Sequence, residues 1–155
     1  MVNFRKITED NFDAIIQMKR PEDENFVASN AVSLAQAWLY REDGDVFPFA
    51  IYDDDTIVGF MLLEEDMEDE RLDLWRIMLP PEHEGKGYGT AAIKRMIQYA
   101  RDSGKYKRIG LLCAPKITTQ GTSMISWDSC RPVRSAMGMW KCGWICKEHT
   151  FFKGK

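Results

Sequence analysis

The stretch "EGKGYGTAAIKRMIQYA", Glu84 to Ala100, decides how this chain is read. Three glycines, Gly85, Gly87 and Gly89, alternate within five residues, and an amphipathic helical pattern follows at once. Glycine tolerates positive φ and lets a backbone come close to a ligand. A helix that begins beside such a loop points its unsatisfied N–H groups and the positive end of its dipole the same way. A strand, a glycine loop and a helix start therefore form an anion site. Two familiar phosphate loops fit poorly. The Walker pattern needs Gly-Lys-Ser/Thr, whereas Lys86 is followed by Gly87; the dinucleotide pattern G-x-G-x-x-G needs glycine where Thr90 stands. The spacing that does fit is x-x-x-G-x-G running into a helix.

Outward from the loop, the chain alternates strand and helix signals. Upstream, Leu72 to Leu79 reads as a strand stopped by Pro80-Pro81. Phe47 to Tyr52 and Thr56 to Leu63 read as a hairpin with an acidic tip at Asp53-Asp54-Asp55. Phe4 to Ile7 is a short strand. A first helix is expected after Thr8, with Phe12, Ile15, Ile16 and Met18 inward and Pro21 at its end. A second is expected from Ser33, with Leu34, Ala37, Trp38 and Tyr40 on its apolar face. Downstream, Thr90 to about Ser103 forms a helix with Ala92, Ile93, Met96, Ile97 and Ala100 inward and Gly104 at its end. Ile109 to Cys113 is one more buried strand. No repeat or linker interrupts the 155 residues, so one strand-rich α/β (α+β) domain is expected.

Charge narrows the partners. The formal net charge is −3, with acids clustered at 53–55, 64–66 and 68–70. Phosphate backbones require a basic face, so the balance argues against nucleic acid. A cationic small molecule suits it better, although an acidic run is most often a solvated surface. No apolar run is long enough to span a bilayer, and Met1 to Ile7 lacks the apolar core of a signal peptide. A cytoplasmic location follows as the expectation, with Cys113, Cys130, Cys142 and Cys146 as reduced thiols.

The loop resembles the pyrophosphate loop of the GNAT acetyltransferases, usually written Q/R-x-x-G-x-G/A. Glu84-Gly85-Lys86-Gly87-Tyr88-Gly89 carries the match, with Glu84 standing where Gln or Arg is usual. The hairpin from Pro48 to Leu63, "PFAIYDDDTIVGFMLL", is similar to the central hairpin of that family. "FVASNAVSLAQAW", Phe26 to Trp38, and "LWRIML", Leu74 to Leu79, resemble bacterial spermine/spermidine N-acetyltransferases. The resemblance covers Asn3 to about Cys113. It implies a mixed, largely antiparallel central sheet flanked by helices, and transfer of acetyl from acetyl-CoA to a primary amine such as spermidine or spermine. Other amines, or an acetyl-CoA-binding protein with little turnover, are the alternatives. The implied cofactor-binding residues are Glu84, Gly85, Lys86, Gly87, Tyr88, Gly89 and Thr90, with backbone N–H groups of Ile77, Met78 and Leu79 taking the pantetheine arm. The family loop works mainly through backbone N–H groups, so Glu84 is expected to weaken binding at most. No metal is implied, and a homodimer formed partly through C-terminal strands is.

After Cys113 the resemblance stops. "APKITTQGTSMISWDSCRPVRSAMGMWKCGW" has no clear period, where the family continues with a helix patterned E-N-x-x-A-x-x-L-Y-x-x-L-G-F. Reading each codon from the third base of the preceding residue restores that pattern. Pro115-Lys116 permits Glu, Lys116-Ile117 gives Asn or Asp, Thr119-Gln120 permits Ala, and Ser123-Met124 permits Tyr. Met124-Ile125 forces Asp and Trp127-Asp128 forces Gly. Met137 to Cys146 shifts into an alternating strand. The expectation is a one-base shift near Cys113 to Pro115 that replaced the family C-terminus, leaving residues 1–113 family-like and residues 114–155 atypical.

That shift bears on the implied mechanism. The family's thiolate-protonating Tyr falls at Ser123-Met124, and the cofactor-contacting Asn at Lys116-Ile117. The carboxylate base that some polyamine acetyltransferases carry on the cofactor strand falls at Trp75. Asp73, two residues earlier on the same strand, is the nearest substitute for a catalytic base, its plainer reading being a solvated acid at a strand start. Glu64 and Glu65 are candidates to receive distal ammonium groups, with Trp75 also lining the substrate side; surface acids are the plainer reading of both glutamates. Cys142, Cys146 and His149 offer only three zinc ligands at a spacing that matches no standard module, and His83 reads as a loop residue.

Overall fold

The computed structural model describes residues 1–21, 28–112, 130–133 and 143–146, with side chains described as far as Gly110. One seven-stranded sheet, ordered β1-β2-β3-β4-β5-β7-β6, organises them. Strand β1 (Val2–Lys6) pairs antiparallel with β2 (Val46–Asp53), β2 with β3 (Thr56–Asp66), and β3 with β4 (Arg71–Met78). The junction of β4 with β5 (Arg108–Leu112) is parallel, because helix α3 (Tyr88–Ser103) crosses over between them. Antiparallel pairing resumes from β5 to β7 (Gly143–Cys146) and from β7 to β6 (Cys130–Val133). The expected mixed, largely antiparallel sheet is therefore present, and the tail as written adds two short strands to its far edge.

Alternation along the strands gives the sheet two apolar faces. Ile51, Val58, Met61, Leu63, Leu72 and Leu74 meet Ala92, Met96 and Ala100 of α3 on one face. Ala50, Tyr52, Phe60 and Leu62 meet Ile15 of α1 (Glu9–Gln17) and Ala37 of α2 (Asn30–Leu39) on the other. Both faces are covered, so the central strands β2 to β4 bury nearly continuous apolar runs.

Two helices differ from their sequence expectation. Helix α2 begins at Asn30 with Ser29 as its N-cap, not at Ser33. Asn30, Ser33 and Ala37, spaced at i, i+3 and i+7, form its buried face. Trp38, expected inward, is 68% exposed and lies under the Arg41 guanidinium. In α1, Phe12 is exposed and Asn11 is buried instead. Asn11 closes a capping box by accepting from the Thr8 N–H, and it donates to the Lys6 carbonyl. The helix stops at Gln17, before Pro21. Helix α3 starts at Tyr88, two residues ahead of Thr90, and closes on Gly104 at φ 64° as expected.

Asn30 links the helices to the sheet. Its Nδ2 donates to the Ile15 carbonyl at 2.9 Å and lies 3.8 Å from Met78 Sδ. Gly59 marks a close approach to the end of β4, since a Cβ there would stand 2.6 Å from Leu79 Cδ2 and 2.7 Å from the Met78 carbonyl oxygen. Backbone cannot yield as a flexible side chain can. Gly59→Ala is therefore expected to destabilise the protein by about 2 kcal/mol, measured by urea unfolding.

Candidate active site

Strands β4 and β5 stay in register for four pairs only, from Arg71↔Arg108 to Leu74↔Leu111. Just beyond the last pair β4 carries a bulge. Leu63 pairs with Leu74 and Leu62 with Arg76, leaving Trp75 as the extra residue. The bulge turns two successive side chains toward α1 and α2. Trp75 packs on the second apolar cluster with its ring 6.2 Å from that of Tyr40, and Arg76 Nη1 donates to Ser33 Oγ at 3.1 Å and to Gln36 Oε1. From Trp75 onward the edge of β4 that faced β5 has no strand partner among the described residues. The result is a wedge whose backbone N–H groups lie open, and Ile77, Met78 and Leu79 form its β4 wall.

The wedge runs into the glycine loop. A single 3-10 turn, Pro81–His83, leads to Glu84. Gly85 and Gly87 then adopt φ 69° and 82°, the left-handed region that favours glycine. No heavy atom lies within 4 Å of a Cβ built on either residue, so their missing side chains leave open space above the loop. Gly87 is the N-cap of α3 and has no side chain with which to cap it. The first intrahelical bond of the loop region is Ala91 N–H to the Gly87 carbonyl at 2.9 Å, leaving the N–H groups of Tyr88, Gly89 and Thr90 without i−4 acceptors. Gly89 has a different duty: a Cβ there would come within 3.2 Å of Leu79 Cδ1, so glycine lets α3 close on the strand end. Tyr88 reaches Asp53 Oδ2 at 3.2 Å through its hydroxyl. Lys86 and Thr90 are exposed at the lip. The cradle suits a phosphate-bearing ligand by shape and by dipole.

The acidic candidates separate. Asp73 is 5% exposed and is gripped by Arg71, whose Nε donates to Oδ1 at 2.9 Å and Oδ2 at 3.0 Å. Arg71 also holds Asp66 at 2.9 Å and Asp69 at 3.0 Å. Burial works against the Arg71 charge, but the carboxylates of Asp73, Asp66 and Asp69 outweigh it and raise the guanidinium pKa. Asp73 also fills the space above Gly110, where any Cβ would collide with its Oδ1. Its geometry is that of an ion-pair partner. Glu65 lies on the α3 side, level with Leu72, and accepts from the buried Tyr106 hydroxyl. Burial and then that carboxylate push the Tyr106 pKa upward. Glu64, half-buried, stands directly across from Asp73 on the α1/α2 side. The two glutamates proposed together thus face opposite sides of the sheet, as adjacent strand residues must.

Two arginines were missed in the sequence. Arg76 stood visible as a charge within the apolar run "LWRIML". Burial lowers its pKa, and no carboxylate lies within ion-pair distance of it among the described residues. Arg20 lies past the end of α1, where nothing local signals a role, yet its Nη1 donates to the Leu79 carbonyl at 3.0 Å and pairs with Glu84. Among the described residues no group of His, Cys, Asp and Glu is placed to hold a metal ion, and no helix is long and apolar enough to cross a membrane. Cys142 and His149 lie outside the described residues, as do the positions Lys116, Ile117, Ser123 and Met124.

The sequence profile of the Acetyltransferase (GNAT) family matches residues 12–144. The chain belongs to this family. A spermine/spermidine N(1)-acetyltransferase of Bacillus subtilis (strain 168) is 28% identical over 117 residues, covering 71% of this chain and 75% of that protein. A Vibrio cholerae spermidine N-acetyltransferase solved with CoA and spermine superposes with a TM-score of 0.58 at 18% identity, covering 73% of this chain and 71% of that one. A Vibrio cholerae protein assigned as a ribosomal-protein-serine acetyltransferase superposes at 0.60 with 17% identity, covering 75% and 72%. The structural likenesses support the fold described above. The family match makes the chain an acetyltransferase.

The Arg71 geometry makes Asp73 separable from a catalytic base. Asp73→Asn is expected to cost about 2 kcal/mol and to lower the melting midpoint by about 6 °C, leaving turnover per folded molecule within about threefold. A hundredfold fall in kcat with unchanged melting, the size expected on losing a general base, would make Asp73 that base.

Proposed function

We propose that the chain transfers acetyl from acetyl-CoA to a primary amine of a polyamine, with spermidine and spermine as the substrate class. The observation that carries the reading is the wedge between β4 and β5 ending on the positive-φ glycine loop at the start of α3. The polyamine assignment is supported by the spermine/spermidine acetyltransferase of Bacillus subtilis and by the neighbouring fold solved with CoA and spermine.

In this reading the pyrophosphate is held by the N–H groups from Gly85 to Thr90 and by the positive end of α3, with Lys86 adding a mobile charge at the lip. Backbone N–H groups of Ile77, Met78 and Leu79 pair with the pantetheine arm and donate to the oxygen on which negative charge develops. Acetyl-CoA supplies the activated acetyl thioester. The incoming amine must lose a proton before it attacks, and with Asp73 committed to Arg71 that proton leaves through water in the wedge. Glu64 offers a carboxylate to the ammonium groups of the substrate from the α1/α2 side. Trp75 and Tyr40 offer aromatic faces to the same cations.

The segment after Cys113 belongs to this proposal. We read it as the family C-terminus displaced by one base, so the hydroxyl that protonates the departing thiolate is missing at Ser123-Met124. β6 and β7 still close the sheet edge as written. Frame restoration is therefore expected to raise kcat through the hydroxyl and to tighten cofactor binding through the Asn that it permits at Lys116-Ile117.

One observation favours a second reading. The Arg76 guanidinium faces α2 and donates to neutral Ser33 and Gln36, and an amine that also carries a carboxylate would complement it. A thiol-release assay separates the readings, using spermidine, spermine and amino-acid amines with this chain and with a version restored in frame after Cys113. Turnover of polyamines by the restored protein, about a hundredfold above this chain, is the expected result. Turnover of carboxylate-bearing amines alone would replace the polyamine assignment, and equal turnover by both chains would overturn the account of the tail.

A further inference from the structure

An acid at the mouth of an anion loop is a physical contradiction. Glu84 immediately precedes Gly85, its side chain is 43% exposed, and a full negative charge there opposes any phosphate held by the amides that follow. The fold answers with Arg20. That residue is distant in sequence and carries a side chain only 19% exposed. Its Nη1 is fixed from two directions, by the Leu79 carbonyl at 3.0 Å and by Glu84 Oε1. The Leu79 carbonyl closes the strand end against which α3 packs through Gly89. Arg20 is therefore anchored to the wall of the wedge and to the first residue of the loop at once.

We propose that Arg20 is a cofactor-positioning residue that cancels the Glu84 charge and so keeps the loop able to bind the CoA pyrophosphate. This rests on the acetyl-CoA reading above. Guanidinium suits the task because it stays charged at any working pH and can hold a carbonyl and a carboxylate together. The pair also explains how this chain tolerates an acid where its family carries Gln or Arg: the positive charge has moved from the loop to the segment after α1. Since the pair is partly exposed, its effect on binding is expected to weaken as salt rises.

The test is a charge cycle read by titration calorimetry with CoA on the full chain. Arg20→Ala leaves Glu84 uncompensated and is expected to weaken CoA binding about tenfold at low salt, the size of one unit charge acting across several ångströms of partly wetted site. Glu84→Gln alone leaves Arg20 unneutralised beside the loop and is expected to bind CoA several-fold more tightly than the wild type at low salt. The double variant Arg20→Ala/Glu84→Gln is expected to recover wild-type affinity within about threefold. Arg20→Ala and the double variant lose the same contact with Leu79, so recovery separates charge cancellation from a lost scaffold contact. A double variant as weak as Arg20→Ala, or an Arg20→Ala variant that binds like the wild type, overturns the assignment. Failure of the wild type itself to bind CoA overturns the acetyl-CoA reading, and this assignment with it.

Discussion

Strand β4 is hydrogen-bonded to strands on both edges only as far as Leu74. The parallel pairing ends there, and the bulge at Trp75 interrupts the regular course of β4 at the same point. Everything the site can do follows from that parting. It leaves main-chain N–H groups unpaired in a place walled by apolar residues, where such groups need a partner. It brings the end of β4 to the glycine loop through one short turn. It also sends Trp75 and Arg76 to the α2 side, where a second substrate would approach.

Electrostatics around this frame are more local than the net charge suggests. Arg71 gathers Asp66, Asp69 and Asp73, and Lys107 takes Glu70. Two cations thereby engage four carboxylates, so the cluster stays net acidic although these carboxylates are tied into the protein's own ion pairs. The charges that remain near the wedge are placed differently. Arg76 stands beside Trp75 on the α2 side, Arg20 and Glu84 meet at the loop, and the dipole of α3 points into it.

The loop and the helix after it were legible in the sequence because glycine spacing and helical periodicity are local signals. The strands from β1 to β4 were legible from turn chemistry at Asp53-Asp54-Asp55 and the stop at Pro80-Pro81, and the mixed, largely antiparallel sheet came with the resemblance carried by the loop. What escaped was set by contacts between distant segments. Trp38 matched an apolar stripe by spacing, but the face of α2 that packs on the sheet carries Asn30, Ser33 and Ala37, and Trp38 lies outside it. Asp73 is a candidate base by its strand position alone, whereas its ion pair with Arg71 emerges only from the folded geometry. Glu64 and Glu65 were grouped by adjacency, although neighbours in a strand face opposite ways. Arg20 carried no local signal at all; its meaning appears only where the segment after α1 crosses the loop.

The central claim is that a ligand lies along the open edge of β4 and ends on the glycine loop. Amide hydrogen exchange, followed with and without CoA, tests it most directly. The account predicts that CoA slows exchange at the amides of Ile77 to Leu79 and of Gly85 to Thr90, and leaves β1 and β2 unchanged. Protection confined to other segments, or none in the loop at a CoA concentration that saturates the protein, would contradict it.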